Sequence, residues 1–210
     1  MAIKAVLTGD IVRSRTLTPD DFTQVLSTLD SACKVIQKQS DATYEIFRGD
    51  AFQILFPNPE DSISAAITIR LALRASLTST PDARISIGLG EIDPPAATLG
   101  RSSGEAFILS GHHLDTMAAE TLVVSSPSPA FQRDTSLLTR FADRLLSQTT
   151  NRQANALYHY LTDEDNSHQA IASLLRTSRV NVTKLLNQAE YQLISDYLDD
   201  IRQRIREGFS

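Results

Sequence analysis

Residues 44–56 read YEIFRGDAFQILF and decide the fold, because two strand-like runs flank a central Arg-Gly-Asp. Alternating apolar residues on both sides of a Gly-Asp pair predict a β-hairpin with Gly49 and Asp50 at its tip. Gly-Asp is also a common turn dipeptide, since Gly accepts positive φ and Asp caps turns. The hairpin alone therefore leaves open whether Asp50 only shapes the turn or also binds a ligand.

A second Gly-Asp pair, Gly9-Asp10, follows a strand-like run at residues 2–7, which read AIKAVL. If this strand pairs beside the hairpin, Asp10 and Asp50 come close together. Two neighbouring carboxylates are costly as bare anions. A hard divalent cation with oxygen ligands removes that cost, so a site for Mg²⁺ and phosphate is one interpretation of the two motifs.

Length and composition are those of an ordinary folded protein. The 210 residues are 41% hydrophobic and 21% charged, which suits one or two domains with a sizeable core. The single cysteine, Cys33, excludes an internal disulfide and fits a reducing cytosol. No signal-type segment or membrane-length apolar run is present, so we expect a cytoplasmic protein with no membrane partner. The net charge of −5 gives no overall attraction to nucleic acid.

The order of the predicted elements indicates an α+β fold. A helix begins at 18–21 with a Thr cap and an N-terminal Pro, and a second helix follows 57–61. Strand-like residues 83–92, a helix over 104–118 and a strand at 121–125 come next. The order is β-α-β-β-α-β followed by α and β. It predicts a ferredoxin-like domain over 1–147, with helices on one face of an antiparallel sheet and a connecting helix at about 130–147.

These motifs, taken in order, resemble the bacterial SatD-like family. The resemblance covers most of residues 1–125 and rests on GDIVRSR at 9–15, RGDAFQ at 48–53, RISIGLG at 84–90 and GEAF at 104–107. More distantly, the chain resembles the catalytic domain of class III nucleotidyl cyclases. That resemblance implies Mg²⁺ or Mn²⁺ and a nucleotide, with metal ligands at Asp10, Ile11 and Asp50. It also implies phosphate contacts from Gly9, Arg13, Arg15, Arg48 and Gly49, although these arginines are equally well explained as solvated surface residues.

The chain departs from the cyclase pattern at three positions. Ile108 and His112 stand where the resemblance places an Asn and an Arg that stabilise the transferring phosphoryl group, and Ile46 stands at a base-selecting Lys. We therefore expect a domain that binds a metal-bound nucleotide without cyclising it. The adjacent His112 and His113 point in different directions on a helix, which argues against a ligand pair.

A polar break near 147–151 precedes a segment, 151–210, that reads as helices throughout. Within it, residues 169–186 resemble the helix-turn-helix of bacterial regulators, with Ser178 capping the recognition helix and Arg176 where a turn Gly is usual. The predicted DNA-binding residues are Gln169, Ser178, Arg179, Asn181 and Lys184. Over 167–190, three basic residues face one acidic residue, Glu190, a local net charge of +2. The alternative for this segment is a plain helical bundle.

Our main hypothesis from the sequence is a DNA-binding transcriptional regulator whose degenerate cyclase-like domain senses a metal-bound nucleotide. Its partner is double-stranded DNA, and a homodimer would read paired half-sites. The apolar stripe of the terminal helix, Gln192 to Arg206, is the predicted dimer seam. Two other classes stay open. One is a divergent metal-dependent nucleotidyl cyclase or transferase, and the other is a non-catalytic protein-interaction module.

Overall fold

The computed structural model describes residues 3–47, 49–77, 79–94 and 98–208. Arg48 lies outside them, so its predicted phosphate contact has no structural description. The described strands form one sheet in the order β2-β3-β1-β4-β5. Their bounds are β1 Lys4–Ile11, β2 Thr43–Ile46, β3 Ala51–Phe56, β4 Ala83–Gly90 and β5 Leu122–Ser125. The central strand β1 is antiparallel to β3 and β4, and β5 is parallel to β4.

Helices cover both faces of the sheet. Helices α1 (Pro19–Ser40) and α2 (Asp61–Ser76) share one core with the odd-numbered side chains of β1, among them Leu7. Helix α3 (Glu105–Thr116) lies on the opposite face, where a side chain at Gly88 would collide with the backbone of Ala106. The mixed α+β class is confirmed. Strands β1 to β4 pair antiparallel, as expected. The expectation fails for the two added elements, because β5 pairs in parallel with β4 and Gly88 leaves room for α3 on the second face.

Five helices complete the described chain: α4 Pro129–Gln148, α5 Asn151–Thr162, α6 His168–Leu174, α7 Arg179–Gln188 and α8 Tyr191–Gly208. The predicted boundary at 147–151 falls at the turn between α4 and α5. One apolar core nevertheless runs from the sheet into these helices and includes Leu157, Val182 and Ile201. The division into domains 1–147 and 151–210 therefore stays a prediction. Among the described residues, none of the helices combines the length and the hydropathy that a membrane span needs.

The apolar side chains of α8 and α4 differ in burial. The stripe of α8 is buried within the chain, with Tyr197 donating a 3.0 Å hydrogen bond to Thr139 Oγ1 on α4. Burial also raises the pKa of Tyr197 above its ordinary value. This stripe is therefore not available as the predicted dimer seam. On α4 the helix buries Thr135, Thr139, Ala142 and Leu146, and the large apolar side chains of Leu137, Leu138 and Phe141 are exposed.

A buried network of charges joins the sheet to the C-terminal helices. Arg70 on α2 is fully buried, and its guanidinium donates to both Asp82 oxygens at 2.9 and 2.8 Å and to Asp143 Oδ1 at 2.7 Å. Arg74, one turn later, donates to Asp82 at 3.0 Å and to Thr149 Oγ1 at 2.9 Å. We name these five residues the arginine network. It ties α2, the residue before β4, α4 and the α4–α5 turn together.

We expect Asp143→Ala to lower the free energy of unfolding by about 3–5 kcal/mol, because it leaves a buried guanidinium short of a partner. Asp134→Ala on the same helix is the matched control. The Asp134 carboxylate is exposed and lies 3.9 Å from Arg204, so its loss should cost less than about 1 kcal/mol. Urea unfolding of both variants measures the difference. Equal losses would show that the arginine network does not hold the fold.

Candidate functional sites

The second face of the sheet carries a row of polar side chains. Side chains alternate between faces along a strand, and strand register places Asp10 opposite Ala51 of β3 and Arg84 of β4. One step along β1, Thr8 lies opposite Gln53 and Ser86. We call this surface the polar face. Gly9 between them has no room for a side chain, because a Cβ there would lie 2.5 Å from the ring of Phe52.

The carboxylate of Asp10 is bound by an arginine. Arg84 donates from Nε to Oδ1 at 2.9 Å and from Nη2 to Oδ2 at 2.5 Å. This bidentate ion pair is partly exposed. The hydrogen bonds to Asp10 raise the pKa of Arg84 above its ordinary value. Asp50 immediately precedes Ala51, the register partner of Asp10. Asp50 and Asp115 also act on Arg84 electrostatically, but the carboxylate that binds its guanidinium is that of Asp10.

The predicted metal ligands do not fit a cation as they stand. Asp10 is already neutralised by Arg84, and a metal ion needs its free carboxylate oxygens. Ile11 is buried, so its one candidate ligand atom is the backbone carbonyl oxygen. Within the described ranges, no group of three or more His, Cys, Asp or Glu side chains is placed to hold a metal ion. A cation at this point would therefore compete with Arg84 for the oxygens of Asp10.

The predicted phosphate-binding residues that the structure describes lie near the ends of the strands. Arg13 and Arg15 are exposed on the turn after β1 and make no ion pair with the described residues. Arg13 adopts φ 55°, and its carbonyl accepts hydrogen bonds from the backbone and hydroxyl of Thr16. Gly49 has φ 97° in the hairpin. Its left-handed backbone supports the turn interpretation of this motif.

Helix α3 places further groups over the polar face. Ser110 Oγ lies 2.9 Å from Thr8 Oγ1, and Gln53 Nε2 donates to the same hydroxyl at 3.1 Å. Sequence reasoning missed Ser110 and Gln53, because no local signal indicates a contact across elements. Ile108 is 69% exposed, and His112 is exposed beside His113, whose pKa is lowered first by burial and then by His112. Ile108 therefore has no packing role inside the chain.

The second candidate site is the pair of helices α6 and α7. Four residues, 175–178, connect them. Arg176 adopts φ 50°, the left-handed conformation for which the sequence would favour glycine. Thr177 N donates to Ala172 O at 2.9 Å, and Ser178 Oγ caps α7 by accepting from Asn181 N at 3.1 Å. A tight turn of this kind fixes the start of α7 against α6.

The predicted DNA-binding residues divide into two groups. Gln169, Arg179 and Lys184 are exposed. Ser178 is used as the cap of α7, and the Asn181 amide donates to Thr177 Oγ1 at 3.0 Å. Those two residues therefore fix the turn. The structure adds Val180, which is 79% exposed on α7.

One arginine beside this turn was missed by the sequence analysis. Arg152 on α5 is exposed and, with Asn155, lines a cavity of about 410 Å³ that it shares with Arg176, Thr177 and Asn181. Arg152 and Arg176 lie 24 positions apart in the chain, so only tertiary packing brings them together. A basic residue near the start of a helix is too common for its sequence to have indicated a site.

No protein-family model and no curated protein sequence matches the chain. Its structural neighbours are nucleotidyl cyclase domains. The guanylyl cyclase Cya2 has 17% identity and a TM-score of 0.43, over 59% of this chain and 74% of that one. The dimeric guanylyl cyclase domain of RhoGC from Blastocladiella emersonii has 18% identity and a TM-score of 0.45, over 64% and 85%. The GGEEF domain of a Vibrio cholerae diguanylate cyclase has 14% identity and a TM-score of 0.42, over 60% and 85%.

These similarities carry no conclusion about activity, because every one of these TM-scores is below 0.5. The resemblance to the SatD-like family stays a prediction. The candidate sites are therefore argued from their own geometry.

We expect Arg84→Met to raise the affinity for Mn²⁺ by at least about tenfold, because a like charge next to a cation site costs several kcal/mol at the effective dielectric of a protein surface. The double variant Arg84→Met/Asp10→Asn should lose that gain. Arg133→Met, an exposed change on α4, is the control. Isothermal titration with Mn²⁺ measures all three. Unchanged affinity in Arg84→Met would mean that Arg84 does not compete with a metal ion.

Proposed function

We propose that the protein binds double-stranded DNA through α6 and α7, as a cytoplasmic transcriptional regulator of the helix-turn-helix type. The observation that carries the proposal is a set of exposed cations around one tight helix-helix turn. Arg176, Arg179 and Lys184 make no ion pair within the described chain, whereas Arg70, Arg74 and Arg84 are all paired. Unpaired cations on a rigid element are available to phosphates.

The outer side of α7 has the composition of a recognition surface. Arg179, Val180, Lys184 and Asn187 are exposed at helical spacing, while Val182 and Leu186 anchor the opposite side in the core. Arginine and lysine donate to guanine and phosphate oxygens, and an exposed valine suits the methyl group of thymine. The N-terminus of α7 also contributes its partial positive charge. These properties support an interface in the major groove.

The net charge of −5 limits the affinity of a single copy. A few phosphate contacts give weak, strongly salt-dependent binding, so we propose a homodimer that reads two half-sites. The buried stripe of α8 cannot be its seam. We also propose that the part of the chain that contains the sheet is a ferredoxin-like, cyclase-like domain. The order of the elements along the chain and the order of the strands in the sheet support this proposal.

We expect Arg179→Ala and Lys184→Ala each to weaken binding to a labelled duplex of about 30 base pairs, which is long enough for two half-sites one turn apart. Each lost phosphate contact should reduce the salt slope of log K by about 0.9. Lys38→Ala on α1, another exposed cation, is the control and should bind like the wild type. Fluorescence anisotropy between about 50 and 200 mM salt measures this. Absence of duplex binding by the wild type at the lowest salt would contradict the proposal.

A second candidate function is binding of a nucleotide with Mg²⁺ or Mn²⁺ at the polar face. The observation that favours it is the strand register, which sets Asp10 opposite Ala51, the residue after Asp50, so that two carboxylates belong to one end of the polar face. An excess of carboxylates attracts cations. Because Arg84 binds Asp10, a metal ion at this site would compete with that guanidinium, whereas the exposed cations of α6 and α7 have no such competitor.

We expect no cyclic product from ATP or GTP with Mn²⁺, because Ile108 and His112 cannot supply the amide and guanidinium donors of the cyclase pattern. Loss of one such donor typically lowers the rate by about 10²–10³. Chromatography of long incubations tests this, with Asp10→Ala as the control for contaminating activity. A cyclic nucleotide made by the wild type and lost in Asp10→Ala would establish the enzyme alternative.

A further inference from the structure

The cavity between α5 and the α6–α7 turn is basic. Arg152, Asn155, Arg176, Thr177 and Asn181 surround it, and the half-buried Leu175 and Leu185 complete its lining. No carboxylate of the described chain lines it. The cavity of about 440 Å³ beside α4 differs, because its arginines Arg140 and Arg144 are accompanied by Glu120 and Asp143. We call the cavity beside α5 the basic pocket.

The two arginines of the basic pocket stand on fixed backbones. Arg152 is the second residue of α5, whose start is held by a capping box between Thr150 and Gln153. Arg176 is the left-handed residue of the turn, which the hydrogen bond from Thr177 N to Ala172 O closes. Neither guanidinium forms an ion pair with a described residue. An unpaired arginine on a fixed backbone binds an anion at lower entropic cost than one on a mobile loop.

Amide and hydroxyl groups complete the pocket. Asn181 donates one amide hydrogen to Thr177 Oγ1 at 3.0 Å, which orients the side chain and leaves its second amide hydrogen for a ligand. Asn155 lies one helical turn after Arg152 and is half-buried. Two guanidiniums with neutral donors and no carboxylate match a phosphate group, which arginine binds through paired hydrogen bonds.

We infer that the basic pocket holds a backbone phosphate of the DNA whose major groove α7 enters. This inference rests on the proposed function and assigns the phosphate-positioning residues, Arg152 and Arg176, outside the exposed face of α7. Thr177 lines the pocket and is two residues before Arg179. A DNA strand that the start of α7 contacts would therefore pass the opening of the pocket. Contacts of this kind set register and affinity and carry no sequence information.

Arg152→Ala and Arg176→Gly test the inference. Glycine adopts the left-handed conformation of residue 176 without strain, so Arg176→Gly removes the guanidinium and keeps the turn. Each variant should reduce the salt slope by about 0.9 and weaken binding to two duplexes of unrelated sequence by the same factor. Arg101→Ala, an exposed arginine in the sheet part of the chain, should leave both quantities unchanged. Thermal unfolding of each variant verifies that the fold is retained, and Arg152→Gln replaces Arg152→Ala if it is not.

The outcomes separate the two claims. The inference about the basic pocket would be wrong if Arg152→Ala and Arg176→Gly both keep the wild-type salt slope of log K while Arg179→Ala weakens binding. That outcome would leave the proposal of DNA binding in place. A loss confined to one duplex sequence would also overturn the inference about the basic pocket, because a phosphate contact acts on all sequences. Absence of duplex binding by the wild type at low salt would overturn both proposals.

Discussion

The arginine network is the interaction on which the rest of the structure depends. Arg70 is fully buried, and a buried charge is tolerated only when ion pairs and hydrogen bonds surround it. Asp82 and Asp143 provide those partners, and each also accepts a hydrogen bond from nearby backbone. Asp82 accepts from Ala83 N at the start of β4. Asp143 accepts from Thr121 N, just before β5, at 2.9 Å. Satisfying one guanidinium therefore also sets the position of two strands.

The same network reaches both candidate sites. Because Asp82 is adjacent to β4, it positions the strand whose Arg84 binds Asp10 on the polar face. In the other direction, Arg74 donates to Ser147 O at 2.9 Å and to Thr149 O at 2.5 Å, and Asn151 donates to Ala75 O at 2.9 Å. These bonds join the end of α2 to the start of α5. Arg152 and the helices α6 and α7 are therefore held at a fixed place relative to the sheet.

The two candidate sites differ in whether their charged side chains have partners within the chain. On the polar face, Arg84 forms an ion pair with the Asp10 carboxylate, which would otherwise attract a metal ion. The positive charge beside that carboxylate is therefore the chain's own guanidinium. Around α6 and α7, four cations have no carboxylate partner in the described chain and are available to an external anion. Burial follows the same division, because the paired arginines of the network are inside the protein and the unpaired ones are on its surface. This contrast is why we place function first at the helices.

The sequence by itself determined the local elements. The Thr cap and the N-terminal Pro predicted the start of α1, and Thr18 accepts from Asp21 N as expected. The hairpin and the cap of α7 could also be predicted from the sequence, because the residues that specify them lie within one turn of backbone. Only the tertiary structure decided the rest. Arg70 meets Asp143 across 73 positions, and Arg84 meets Asp10 across 74. It also decided that α3 covers the second face, that Leu137 and Phe141 stay exposed, and that Arg152 joins Arg176. A chain's sequence specifies what each residue can bond to, but which partner it meets depends on how distant elements pack.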